Sequence, residues 1–172
     1  KQLAEIMPLF GFYLLTGVGG VILPYSFWRQ IVEIDNLYGI KIAPFNRYFT
    51  LDVCRAVADA GKEDQIVLYT GNDESIVYDL VTPFKYVVNG ETRTVRMRGG
   101  LLGQWGCWTR KAVELLEEIH DIVDNEKEIS LELLARSAQI TDANAALFDP
   151  QHDYAGSIPG VNEILTRQGL MS

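Results

Sequence analysis

Between residues 11 and 70 three short apolar runs alternate with two stretches of helical character, and this alternation constrains the chain more than any other feature. Gly11 to Leu15 is a short apolar run of the kind that forms a buried parallel strand. Pro24 opens a helix that extends through Ile34, because proline at the first helical position loses no needed hydrogen bond. Leu37 to Ala43 reads as the next strand. Thr50 is placed to cap a helix whose apolar face includes Val53, Cys54, Val57 and Ala58, with Gly61 closing it. Gln65 to Thr70 is a third strand, and it ends at Gly71-Asn72-Asp73. Strand, helix, strand, helix, strand is the order of a parallel α/β architecture.

The remainder departs from that rhythm. Tyr86-Val87-Val88 and Thr92-Arg93-Thr94-Val95 flank Asn89-Gly90, which suits a type I′ turn, so a β-hairpin is expected as an insertion near residues 84–97. Gly99 to Gly103 reads as a short final strand. Trp108, Ala112, Leu115, Leu116, Ile119 and Val123 recur at helical spacing, giving a long amphipathic helix. A second helical region runs from about Ser130 to Leu147, and a last helix follows Pro159 and ends near Gly169. Residues 1–106 are therefore expected to carry the strands and residues 107–172 a helical extension.

With 172 residues, 48% hydrophobic and 22% charged, the chain has the balance of a soluble globular protein but is too short for a whole eight-stranded barrel. Its net charge of −8 repels nucleic acid and anionic membrane. Arg93, Arg96 and Arg98 do cluster, but Glu91 sits with them, and a solvated strand face is the better reading. The apolar stretch from Ile6 to Leu23 contains Pro8 and four glycines, which argues against a membrane span. Cys54 and Cys107 lie in no CxxC pattern and His120 and His152 are far apart, so neither a metal site nor a disulfide is expected, and a cytosolic setting is. The opening Lys1-Gln2-Leu3-Ala4-Glu5-Ile6 has no initiator Met and reads like the tail of a helix, as a fragment or processed chain would.

Lys41 is the most informative position. It lies within Tyr38-Gly39-Ile40-Lys41-Ile42-Ala43, where its neighbours are apolar or small. A lysine desolvated in a buried strand is freed for attack on a carbonyl, whereas one at a strand end carries its charge out to solvent along its own stem. Tyr13, on the preceding strand, could relay protons to and from that amine, or be a core tyrosine whose hydroxyl finds a backbone partner. Gly71-Asn72-Asp73 follows a strand, where ligand-contacting loops lie in parallel sheets. Its backbone amides or the Asn72 side chain could hold substrate oxygens, and Asn72 or Asp73 could equally cap a helix. Gly99, Gly100 and Gly103 leave room for a ligand or for tight packing.

Gly39-Ile40-Lys41 on a strand, Tyr13 one strand earlier and Gly71-Asn72-Asp73 one strand later resemble the dihydrodipicolinate synthase and N-acetylneuraminate lyase family. Tyr13 and Lys41 stand 28 positions apart, similar to that family's tyrosine-to-lysine separation, and Ile158-Pro159-Gly160-Val161 through Gly169-Leu170 resembles its last helix. The resemblance implies an α/β fold, the C-terminal half of a (β/α)8 TIM barrel with an inserted β-hairpin and C-terminal helices. It also implies a Schiff-base lyase or dehydratase in which Lys41 forms an imine with pyruvate or another 2-keto acid, or with a sugar acid. Tyr13 would shuttle protons, and Leu102 on the last strand would offer its backbone carbonyl or apolar side to the pocket. No cofactor or metal is implied. A cytoplasmic homo-oligomer is expected by analogy.

The chain also departs from the family. Leu14-Leu15-Thr16 follows Tyr13 where members usually have Asn-Val-Pro, and Ile42-Ala43-Pro44-Phe45 follows Lys41 where many have an acidic residue and a threonine. These differences point to a divergent member with another substrate. The family's carboxylate-binding segment lies in strands this chain lacks, so a longer parent chain or a second copy is expected to supply them. The rival expectation is a catalytically silent barrel protein or fragment with a binding or assembly role.

Overall fold

The computed structural model describes residues 1–172, which form two compact units. The first comprises residues 1–72 and 82–100, the second residues 73–81 and 101–172.

The strands are β1 (Leu9–Leu14), β2 (Leu37–Ala43), β3 (Val67–Thr70), β4 (Phe84–Val88), β5 (Glu91–Val95) and β6 (Met97–Gly100). In the first unit β1, β2, β3 and β6 pair in that order as a parallel sheet, and β4 and β5 form a separate antiparallel hairpin. Side chains alternate between the faces of a strand. On one face Tyr13, Ile40, Ile42, Leu68 and Thr70 are fully buried. Two helices cover this face, α1 (Tyr25–Ile31) and α2 (Arg47–Ala60), which bury Trp28 and Val53, Cys54, Ala56, Val57 and Ala58. Tyr13 packs against Trp28 and Phe49 at ring separations of 5.0 and 6.1 Å. Burial together with the Asp59 carboxylate it donates to holds the Tyr25 phenol above its ordinary range.

The cap of α2 is Asn46, not Thr50. The Asn46 side chain accepts from the Tyr48 and Phe49 amides, which have no partner inside the helix. Thr50 lies one turn in and donates back to the Asn46 carbonyl. Gly61 ends the helix as expected, at φ +65°. The hairpin turn has Asn89 and Gly90 both at positive φ, as a type I′ turn requires. Arg93 on β5 reaches Glu63 at 2.8 Å, and Tyr86 on β4 donates to the Leu51 carbonyl. The final strand starts and ends earlier than expected, because pairing with β3 runs from Met97 to Gly100.

The second unit is helical: α3 (Ile76–Val81), α4 (Gly103–Cys107), α5 (Thr109–Asp124), α6 (Leu131–Phe148) and α7 (Ser157–Arg167). Helix α5 buries Ala112, Leu115 and Ile119, three of the residues whose spacing marked it in the sequence. Ser130 caps α6 by accepting from the Leu133 amide. From α6, Asn144 donates to the Asp73 carbonyl at 2.7 Å and Thr141 to that of Glu74, tying down the segment before α3. Gly160 lets α7 approach α6 closely, since a Cβ there would stand 2.1 Å from the Leu147 carbonyl oxygen. No helix is long and apolar enough to cross a membrane.

Candidate functional site

The sheet face opposite α1 and α2 carries Lys41. Register assigns its neighbours: Phe12 on β1 and Tyr69 on β3 are its direct partners, and Gly99 is the partner of Tyr69. The Lys41 Nζ lies 4.4 Å from the centre of the Phe12 ring, within range of a cation–π attraction. Phe10, one row lower, stacks on Tyr69 at 5.7 Å.

Glycines make room for these side chains. A Cβ at Gly71 would stand 2.7 Å from Lys41 Cε and 2.8 Å from Ala43 Cβ, one at Gly39 would meet the Phe10 ring, and one at Gly99 the Tyr69 ring. Two strands and the residue after a third thus give up a side chain so that one lysine and two aromatic rings can lie across the sheet. Phe10 and Phe12 remain 48% and 49% exposed, so nothing in the first unit covers this face as the helices cover the other.

The expected residues do not all meet here. Lys41 and Gly71 do. Tyr13 does not: its register partner is Ile42, one residue past Lys41, and a one-residue offset turns a side chain to the opposite face. Its hydroxyl, 1% exposed with the rest of the residue, donates to the Leu23 carbonyl and accepts from the Leu23 amide. The Gly71 amide continues the sheet by donating to Ile42 at 2.7 Å, and the Asn72 amide donates to Thr70 Oγ1, so neither is available to a substrate oxygen. Asn72 does not cap a helix either. Its side chain is buried, accepting from the Phe45 amide and donating to Thr50 Oγ1 at 3.1 Å each. This bond pins the loop after β2, where Phe45 adopts a left-handed φ of +51°.

Asp73 and Leu102 belong to the second unit. Asp73 gives its carbonyl to Asn144. Leu102 lies beyond the last strand, at the cap position of α4, where its carbonyl accepts from the Trp105 amide. The residues that sequence reasoning missed are Phe10, Phe12 and Tyr69. Alternation from Lys41 along the strands would have found them, given the register.

No protein-family model matches the sequence, and neither does a curated protein. Two solved structures match the fold. One is dihydrodipicolinate synthase from Bacteroides thetaiotaomicron, with a TM-score of 0.70 and 17% identity over 99% of this chain and 52% of that one. The other is a dihydrodipicolinate synthase candidate from Thermus thermophilus, with a TM-score of 0.64 and 20% identity over 98% of this chain and 48% of that one. The chain spans about half the length of each structure it matches. Those structures are TIM barrels, and the fold here is that of a C-terminal half-barrel carrying a β-hairpin and terminal helices.

Proposed function

We propose that the Lys41 face is the imine-forming surface of a class I aldolase, lyase or dehydratase acting on pyruvate or a related 2-keto acid. The observation that carries this reading is the position of Lys41. It sits in the middle of a parallel strand, on the face without helices, with its stem in the space left by Gly71 and its ammonium over the Phe12 ring. In its neutral form such an amine attacks the ketone carbon, water leaves, and the resulting protonated imine accepts electrons from a carbon–carbon or carbon–hydrogen bond broken beside it. The Phe12 ring attracts a cation by about 0.5–2 kcal/mol, and an iminium meets it as an ammonium does. The half-barrel fold supports the reading, since ligands in such barrels bind at the C-terminal ends of the strands.

In this reading the proton-shuttle role expected of Tyr13 passes to a phenol on the Lys41 face. Tyr13 acts in this reading as a positioning residue that anchors the loop after β1 through Leu23. Tyr69 is the phenol that shares Lys41's face and register, and it takes the proton-transfer role. Asn72 acts through the Phe45 loop. The same resemblance carries the expectation of a cytoplasmic homo-oligomer that needs no cofactor. One observation favours the silent-barrel alternative: the hydroxyl of Tyr13 is committed on the other side of the sheet.

The test is to incubate the protein with pyruvate and borohydride, measure intact mass, and map the peptides. A reduced adduct on Lys41 that disappears in Lys41→Ala is the expected result. No adduct, or one spread over surface lysines and retained in the variant, overturns the reading in favour of a silent barrel.

A further inference from the structure

The second unit holds a cavity of its own, which shares no residue with the Lys41 face and whose role does not rest on the imine reading. Helices α5 and α6 both pack against α3, and together with α4 they line a space of about 510 Å³. Pockets that take small molecules have this size. The apolar lining is Trp105 and Trp108, each half-buried, with Leu115 from α5 and Ile140 from α6. The charged lining is already paired: Lys111 reaches Glu114 at 2.6 Å and Arg136 reaches Glu118 at 2.6 Å. Hydrogen bonds from Lys111 and Arg110 hold the Glu114 carboxyl below its ordinary range, which keeps the first pair ionised. Two cations and two anions cancel, so a charged ligand would find no unmatched partner among them.

Gln104 differs from these residues. It lines the same cavity and is only 7% exposed, yet its side-chain amide bonds no other group of the chain. On two more lining residues the Trp105 indole nitrogen and the Arg136 Nε are also buried without a partner. A buried amide costs stability until something bonds it. It offers an N–H donor beside a C=O acceptor, and a group that meets both at once carries the same pair reversed. Indole rings, for their part, hold flat aromatic systems by stacking. We propose that this cavity binds an uncharged, planar aromatic molecule with an N–H beside a C=O, the edge shared by ring lactams and aromatic carboxamides, and that Gln104 bonds that edge.

The experiment is a titration of the isotope-labelled chain followed by NMR, reading the indole N–H signals. The probes are 2-quinolone (a lactam), 2-naphthamide (a carboxamide), quinoline, which has neither the N–H nor the C=O, and the anion 1-naphthoate. The lactam, the carboxamide or both should move the signals of Trp105 and Trp108 and leave that of Trp28, which does not line the cavity, in place. Whichever binds tighter identifies the source of the edge. Quinoline and 1-naphthoate should bind about tenfold or more weakly. Gln104→Leu puts an apolar group of similar size in place of an unpaired amide, so the fold should persist. It should bring the better amide probe and quinoline within about twofold of each other. Ala143→Phe, which fills the cavity from α6, should remove binding of both. If neither amide probe moves the two signals, the site is overturned. Quinoline binding as tightly as the amide probes, or a ratio unmoved in a folded Gln104→Leu, overturns the role of Gln104. Tighter binding of 1-naphthoate overturns the uncharged ligand.

Discussion

One methyl group added at Gly71 would have to displace both the Lys41 stem and the Ala43 side chain, and Ala43 is fixed to a strand that cannot yield. Gly71→Ala is therefore expected to cost about 1–3 kcal/mol of stability, read from a urea midpoint. It should also cut pyruvate trapping at Lys41 severalfold at saturating borohydride. Tyr86 gives a prediction of a different kind. Burial holds its phenol well above the ordinary tyrosine range, with the Leu51 carbonyl as its hydrogen-bond acceptor. The unfolded chain loses that proton near pH 10 while the folded one keeps it, so Tyr86 stabilises the fold fully below pH ~10 and that stability is lost as pH rises further. Urea midpoints from pH 8 to pH 11 should fall, and Tyr86→Phe should flatten the alkaline part of that fall. At this scale Lys41 was legible from the sequence, because a lysine among Gly39, Ile40, Ile42 and Ala43 stands out in any strand. The face occupied by Tyr13 was not. A separation of 28 positions says that two residues lie on adjacent strands, but a single step of register decides whether they meet, and the pairing of Tyr13 with Ile42 is visible only in the folded sheet.

Helix α2 and the loop before it show how one element holds the site's edge. Asn46 satisfies two amides of the first turn, so Asn46→Ala should cost about 1 kcal/mol in a urea melt. Asn72→Ala should cost more, about 2–4 kcal/mol, because it leaves the Phe45 amide without its acceptor beneath a strained φ and opens a void. Amide hydrogen exchange at Phe45 is the sharper readout, and it should rise in Asn72→Ala and stay slow in Asn46→Ala. The order of strands and helices, the Asn89-Gly90 turn and the close of α2 at Gly61 could be read in advance, since each rests on local chemistry. The cap of α2 was misplaced by one turn because Asn46 and Thr50 are both competent caps, and Thr50 instead bonds the Asn46 carbonyl one turn back and Asn72 across the fold. Helix α3, only six residues long, gave no periodicity to read.

On the scale of the molecule, the first unit leaves β1 and β6 as edge strands and one sheet face apolar and uncovered, with Phe10, Phe12 and Val67 exposed together. Such a face binds hydrophobic dyes and exposes strand edges to further pairing. An environment-sensitive naphthalenesulfonate dye should bind the folded chain, and the double variant Phe10→Ser with Phe12→Ser should weaken that binding while leaving helix content unchanged. The parallel α/β architecture followed from strand order and the half-barrel from the family resemblance, and the solved structures share this fold over about half their length. The proposed role of Lys41 is to turn a bound 2-keto acid into an electron sink. Its most direct test follows the methyl signal of pyruvate by proton NMR in D2O with the protein present. The imine should release a methyl proton to form the enamine and take deuterium on return, so the signal should decay with wild type and persist with Lys41→Ala. A signal that persists with wild type, or decays equally with the variant, would contradict the claim.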